Sequence, residues 1–159
     1  MPPSHLTTHE QLILVADDDK VTRDTVRDIL EDAGYRSILE APDGEHALDI
    51  LRTSSQRLVV ILDWLMPHGS GTDVLVARAK EVPLVGRHAY IVLTADARVS
   101  QADIDALGLP SDMWVRLLRK PFSLDDMLQA AEDATRALLP LENTAPTPAP
   151  APASERASE

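Results

Sequence analysis

Three consecutive aspartates at the end of an apolar run are the first residues that could do chemistry. Asp17, Asp18 and Asp19 directly follow the segment LILVA at positions 12–16. Two carboxylates about 4 Å apart repel each other by roughly 4 kcal/mol at the effective dielectric constant of a protein surface. A divalent cation would relieve this repulsion, and Mg²⁺ binds carboxylates together with water and phosphate oxygens. The cluster is therefore a candidate Mg²⁺ site.

Three more polar side chains follow other apolar runs. Asp63 ends LVVILD, Thr94 ends AYIVLT, and Lys120 lies in LLRKPF. An aspartate beside a metal ion can attack phosphorus and form an aspartyl phosphate. A metal ion, a lysine and a hydroxyl group can together neutralise the charge of a transferred phosphoryl group. These residue types favour Mg²⁺-dependent phosphoryl transfer, provided that the fold brings them together.

Each of these residues also has a purely structural interpretation. An acidic residue after a strand often caps the next helix, and for Asp19 we favour this role over metal binding. Asp63 could be a loop residue, Thr94 a strand-end residue and Lys120 a solvated charge. Their joint placement after four separate apolar runs favours a shared site.

Short apolar runs recur at intervals typical of strand–helix units. We predict strands at Leu12–Ala16, Ser37–Ala41, Leu58–Leu62, Ala89–Leu93 and Trp114–Leu118. The first and third are unbroken apolar runs, as expected for strands that are buried on both faces. Amphipathic stretches lie between the runs, so the pattern predicts an α/β fold with a doubly wound, five-stranded parallel sheet. The carboxyl ends of such strands lie along one edge, where binding sites form.

Capping signals indicate where the helices begin and end. The first helix carries an apolar stripe from Thr22 to Ala33 and stops at Gly34. The second spans roughly Gly44–Arg52, with Asp43 as its cap. The third begins near Gly71 and the fourth near Val99, and Ser123 caps the fifth.

Composition excludes several classes of function. The chain has 159 residues, no cysteine and a formal net charge of −11. The lack of cysteine rules out disulfides and thiolate metal sites. The acidic balance, without a cluster of lysine and arginine, argues against nucleic acid and anionic membranes as partners. No signal peptide or membrane-spanning run is evident, and we expect a cytoplasmic protein.

The two ends of the chain differ from its middle in composition. Residues 1–10 carry no apolar periodicity, and residues 140–159 are about half proline and alanine. Such segments bury too little apolar surface to offset the entropy of ordering, so we expect both to be disordered. A single domain is therefore predicted over residues 11–139. The tail could also lead to an output domain.

Four segments, in order, resemble a known family. ILVADDDKVTR, LDWLMPHGSG, IVLTA and KPF are similar to the receiver domain of two-component response regulators, with GYRSILEAPDGEHAL between the first two. The resemblance covers about residues 11–139 and is closest to stand-alone regulators of the chemotaxis type. It implies a flavodoxin-like receiver fold with strand order 2-1-3-4-5.

The resemblance also implies a role for each residue of the candidate site. Asp63 is implied as the phosphoacceptor, which receives a phosphoryl group from the histidine of a sensor kinase or phosphotransfer protein. Mg²⁺ is implied to bind Asp17, Asp18, Asp63 and the backbone carbonyl of Leu65. Thr94 is implied to hydrogen-bond the phosphoryl group and Lys120 to pair with it. Met66, Pro67 and Gly71 match the loop that shapes the site. Such a domain is a phosphorelay switch rather than an enzyme, and it signals by contacting a downstream protein.

One position departs from the family pattern. The aromatic residue that usually stands three positions before the lysine is replaced by Leu117, which cannot act as an aromatic rotamer switch. Trp114 would lie on the opposite face of a regular strand. We therefore expect the signal to leave through the loop after Thr94 and the fourth helix, on the face formed with strands four and five.

Two alternative functions remain open. The chain could be a receiver-like binding module that acts without phosphorylation, with Leu117 as the best support. It could also hydrolyse small phosphate esters through Asp63, although Leu65 stands where an aspartyl-nucleophile phosphatase has its second aspartate. The five histidines, including His68 near the phosphoacceptor, show no metal-ligand spacing.

Overall fold

The structure is a computed structural model that describes residues 10–66, 68–81, 88–110 and 113–138. The predicted N-terminal segment, apart from Glu10, and the predicted Pro/Ala-rich tail lie outside the described residues. Pro67, which matches the loop motif, also lies outside them.

Five parallel strands form one sheet in the order β2-β1-β3-β4-β5, which confirms the predicted fold. Every strand begins at the predicted residue, and the last three run one residue further than predicted. Asp63 pairs with Leu93, and Thr94 pairs with Arg119. The extra pairs carry the strands up to the residues of the candidate site. The strands are β1 (Leu12–Ala16), β2 (Ser37–Ala41), β3 (Leu58–Asp63), β4 (Ala89–Thr94) and β5 (Trp114–Arg119).

Five helices connect and follow the strands among the described residues. They are α1 (Lys20–Asp32), α2 (Gly44–Thr53), α3 (Gly71–Glu81), α4 (Gln101–Asp105) and α5 (Leu124–Ala137). As predicted, the side chains of Asp19, Asp43 and Ser123 accept hydrogen bonds from the first turns of α1, α2 and α5. Within the described part of the chain, no helix is long and apolar enough to cross a membrane.

Alternating side chains of the sheet build two apolar layers. One layer packs the sheet against α1 and α5, and the other packs it against α2, α3 and α4. All residues of β3 and β4 are buried, as the parallel sheet covered on both faces requires. In β5, Trp114 joins the first layer and Leu117 the second. The prediction that these two side chains lie on opposite faces is therefore confirmed.

The loop after β3 is fixed by close backbone contacts at two glycines. A Cβ atom on Gly44 would lie 2.1 Å from the carbonyl oxygen of Gly69, and one on Gly71 would lie 2.5 Å from that of Asp63. The amide of Glu45 also donates to the carbonyl of His68, with an N–O distance of 3.0 Å. The N-terminus of α2 therefore holds the loop that follows Asp63 in place.

We predict that Gly44→Ala lowers the free energy of unfolding by about 2 kcal/mol, because the new methyl group would displace the backbone of the loop. Urea unfolding of the full chain measures this change. Glu45→Ala, a substitution of the next residue, which is exposed, is the control and should change stability by no more than about 0.5 kcal/mol. Equal losses in the two variants would contradict the interpretation of the contact.

Candidate functional site

Side chains from three strand ends meet at the carboxyl edge of the sheet. The ammonium Nζ of Lys120 lies 3.2 Å from Oδ2 of Asp17 and 3.0 Å from Oδ1 of Asp63. Asp17 follows β1, Asp63 ends β3 and Lys120 follows β5, so 103 residues separate the first partner from the last. β1 and β3 are neighbours in the sheet, which brings Asp17 and Asp63 together, and the long side chain of Lys120 reaches both from β5, on the far side of β4.

The three acidic side chains provide a cluster of oxygen ligands. One carboxylate oxygen each from Asp17, Asp18 and Asp63 lies within 4.8 Å of the other two. Asp17 and Asp63 are 1% and 8% exposed, whereas Asp18 is exposed to solvent. Three hard oxygen donors of which one faces water fit Mg²⁺, which keeps part of its hydration shell. The donor set therefore suits the metal that the sequence predicts.

Burial and the proximity of other charges shift the pKa values of the titratable groups in this cluster. Burial raises the pKa of Asp63, and the neighbouring charge of Asp17 adds to the rise against the opposing bond from Lys120. Burial also raises the pKa of Asp17, while its bonds from the amide of Asp19 and from Lys120 counteract the rise. Burial acts to lower the pKa of Lys120, but its bond and charge interaction with Asp63 outweigh that effect and raise it. The carboxylates are thus held at an energetic disadvantage that a cation would relieve.

Asp19 takes the structural role that the sequence favoured. Its carboxylate accepts hydrogen bonds from the amide of Val21 at 3.3 Å and the hydroxyl of Thr22 at 2.7 Å. The Thr22 bond is the main cause of the lowered pKa of Asp19. The third aspartate therefore caps α1 and is not part of the ligand cluster.

Thr94 lies at the end of the neighbouring strand and is tied to Lys120 through the backbone. Its side chain is 2% exposed, and its Oγ1 accepts a hydrogen bond of 3.0 Å from the amide of Asp96. Its carbonyl accepts from the amide of Lys120 at 2.7 Å. The hydroxyl hydrogen remains available for a further acceptor, because Oγ1 uses only a lone pair in the bond from Asp96.

The loop after β3 contains the remaining residues that the resemblance assigned. Leu65 and Met66 lie two and three residues after Asp63, and Gly71 begins α3. The side chain of Leu65 is 68% exposed. The metal contact of its carbonyl stays a prediction. His68 has a backbone φ of +52° and contributes its carbonyl to the contact with α2.

Sequence reasoning missed two side chains that connect β5 to the segment after Thr94. Arg119 donates from Nη1 to the carbonyl of Asp96 at 3.2 Å and from Nη2 to that of Val99 at 2.6 Å. The side-chain oxygen of Gln101 accepts from the amide of Leu117 at 3.2 Å. Strand alternation could have placed Arg119 on the same face as Leu117. The loop conformation that receives its bonds has no signal in the sequence.

Comparison with known proteins agrees with the predicted family and fold. The family model described as the response regulator receiver domain matches residues 13–132. The response regulator MprA of Mycolicibacterium vanbaalenii is 35% identical over 119 residues, which are 73% of this chain and 46% of that protein. The chain spans about half the length of the curated relatives of this kind that it matches.

Solved structures show the same architecture. A CheY-like receiver domain protein from Methanospirillum hungatei JF-1 has a TM-score of 0.65 and 27% identity, covering 81% of this chain and 98% of that one. The receiver domain of a sensor histidine kinase from Pseudomonas aeruginosa PAO1 has a TM-score of 0.65 and 22% identity, covering 80% and 98%. That protein holds a magnesium ion in its active site cleft; its likeness to this chain is one of fold.

We predict that Asp17→Asn raises the free energy of unfolding by about 1 kcal/mol at neutral pH in the absence of metal. The raised pKa of Asp17 means that the folded state disfavours its carboxylate. The gain should therefore diminish as the pH falls through the raised pKa and disappear below the ordinary value of 3.8, where the wild-type carboxyl is protonated in both states.

Thermal unfolding of the full chain across this pH range measures the effect, and Asp24→Asn provides the control. Asp24 carries the same carboxyl group on α1, where it pairs with Lys20 in solvent. Its substitution should not raise stability at any pH. Added Mg²⁺ should stabilise the wild type more than Asp17→Asn. A loss of stability in Asp17→Asn at neutral pH would show that Lys120 already compensates the cluster.

Proposed function

This chain belongs to the response regulator receiver domain family of two-component systems, and on that premise we propose that Asp63 is its phosphoacceptor. The donor is the phosphohistidine of a sensor kinase or of a phosphotransfer protein, and the reaction requires Mg²⁺. The phosphorylated domain then acts by contacting a downstream protein. The observation that carries this proposal is the convergence of Asp17, Asp18 and Lys120 on the carboxylate of Asp63.

The transfer needs little covalent chemistry from the protein. An oxygen of Asp63 forms a bond to phosphorus while the bond between phosphorus and the donor nitrogen breaks, and the imidazole leaves with the electron pair. Mg²⁺, when bound by Asp17, Asp18 and Asp63, supplies positive charge to the phosphoryl oxygens and offsets the repulsion among the carboxylates. Pre-positioned charge of this kind supplies most of the catalysis in phosphoryl transfer.

Lys120 and Thr94 are suited to hold the product. Lys120 already contacts Asp63, so its ammonium can shift to a phosphoryl oxygen without crossing the site. Thr94 can donate its hydroxyl hydrogen to another phosphoryl oxygen. Both residues would then make contacts in the phosphorylated state that the unphosphorylated state lacks, and such differential contacts are what a population shift requires.

We predict that the wild-type chain, incubated with Mg²⁺ and acetyl phosphate, gains one phosphoryl group, and that Asp63→Asn gains none. Intact-mass measurement detects the adduct, and chelation of Mg²⁺ should abolish it. Asp96→Asn is the matched control, because Asp96 is a carboxylate outside the cluster whose charge pairs with Arg98. It should retain the adduct.

Each other outcome of this experiment has a definite meaning. An adduct that persists in Asp63→Asn would place the phosphoacceptor elsewhere. Absence of the adduct in the wild type would favour a receiver-like module that acts without phosphorylation. Repeated turnover of phosphate esters would favour a hydrolase.

We predict that Leu65→Asn shortens the lifetime of the phosphoryl group about fivefold, because an amide beside the site can orient an attacking water and an alkyl group cannot. The exposed side chain of Leu65 lies two residues after Asp63. Asp96 is poorly placed to orient this water, since its carboxylate already accepts hydrogen bonds from the backbone and the side chain of Arg98. Decay of the adduct by intact mass measures the lifetime, and Leu65→Ala is the control that adds no polar group. Equal lifetimes in Leu65→Asn and Leu65→Ala would contradict the prediction.

A further inference from the structure

Arg119 is the last residue of β5, and its guanidinium connects this strand to the loop between β4 and α4. Its two terminal nitrogens donate to the carbonyls of Asp96 and Val99, which lie three residues apart in that loop. A guanidinium presents its donors in a rigid fork, so a single side chain can fix the distance between two acceptors. Val99 is itself 8% exposed, which places the second bond at the edge of the packed interior.

The backbone of Arg119 is fixed relative to the candidate phosphorylation site. Arg119 is the register partner of Thr94, and the next amide, that of Lys120, donates to the carbonyl of Thr94. The ammonium of Lys120 contacts Asp63. A movement of Thr94 or Lys120 towards a group on Asp63 would therefore also displace the backbone of Arg119.

The other side chains on this face of β5 offer no comparable connection. Val115 and Leu117 point to the same side as Arg119 and are apolar, so they can pack against the α4 segment without fixing it by hydrogen bonds. Gln101, the first residue of α4, adds one bond by accepting from the amide of Leu117. Polar connections between β5 and the loop after Thr94 thus concentrate at Arg119, with Gln101 as a second point.

We propose that Arg119 is the positioning residue that makes the β4–α4 loop and α4 follow the movements of Thr94 and Lys120. The proposal rests on the proposed function, since it concerns how occupancy of Asp63 reaches the surface. In this arrangement the apolar Leu117 serves as packing, and the transmitted displacement travels through the backbone carbonyls that Arg119 holds.

Amide hydrogen exchange with and without beryllium fluoride and Mg²⁺ tests the proposal on the full chain. In the wild type, the phosphoryl mimic should change exchange in residues 95–106. In Arg119→Met, exchange of residues 96–100 without the mimic should rise about tenfold, because charge-assisted bonds to the two carbonyls are lost. The mimic-induced change in residues 101–106 should fall to about half or less, while the adduct on Asp63 still forms. The ammonium of Arg119→Lys cannot span both carbonyls, so its exchange rates and its mimic-induced change should lie between those of the wild type and of Arg119→Met.

Two matched variants separate this role from general loosening. Arg98→Met removes a guanidinium from the same loop, where the side chain is 91% exposed and binds the carboxylate of Asp96. Trp114→Phe alters the opposite face of β5. Both should keep the mimic-induced change in residues 101–106.

The outcomes distinguish the two proposals. A full mimic-induced change in Arg119→Met, with its adduct intact, overturns the role of Arg119 alone. An equal loss of the mimic-induced change in Arg98→Met also overturns the role of Arg119, because removing any positive charge from the loop would then have the same effect. A loss of the mimic-induced change in Trp114→Phe would make Trp114 the switch. A wild type that neither forms the adduct nor responds to the mimic overturns the proposed function, and this inference with it.

Discussion

The structure depends on the enforced proximity of three carboxylates at one end of a buried sheet. Burial removes water from Asp17 and Asp63, and Lys120 compensates only part of the resulting charge. Such an arrangement is unfavourable unless another interaction compensates for it, and crowded titratable groups with shifted pKa values are typical of binding and catalytic sites. The remainder of the fold can be understood as the support that prevents the carboxylates from moving apart. The parallel sheet contributes rigid strand ends: Asp17 and Asp18 follow β1, and Asp63 ends the neighbouring strand β3.

That support comes from neighbouring backbone more than from side chains. The amide of Asp19 holds one oxygen of Asp17, and Asp19 in turn caps α1, so a single turn fixes both the ligand and the helix. On the other side, the contact between Gly44 and Gly69 fixes the loop that follows Asp63. Both arrangements hold the proposed metal ligands in place independently of a metal ion, which would lower the reorganisation that binding requires. Stability and site geometry therefore share the same contacts.

The sequence predicted the elements well because their signals are local. Five apolar runs located the strands within one residue, and capping residues such as Asp43 and Ser123 located the helix starts. The site residues could be grouped because parallel strands end along one edge, and their assignment to roles came from family resemblance. The role of Arg119 could not be predicted, because it depends on where two backbone carbonyls of an irregular loop lie in space. The same holds for the contact between Gly44 and Gly69, which joins segments that are 25 residues apart in sequence.

The bond between Gln101 and the amide of Leu117 has a consequence for assembly. β5 is an edge strand of the sheet, and unpaired main-chain amides on such an edge invite another chain to add a strand. The side-chain oxygen of Gln101 accepts a hydrogen bond from one of these amides, that of Leu117 in the middle of β5. An added strand would need the same amide as a donor. A protein that met this edge would have to expel the glutamine before it could extend the sheet. The edge is thereby protected against intermolecular β-pairing, and side-chain packing is left as the easier mode of association.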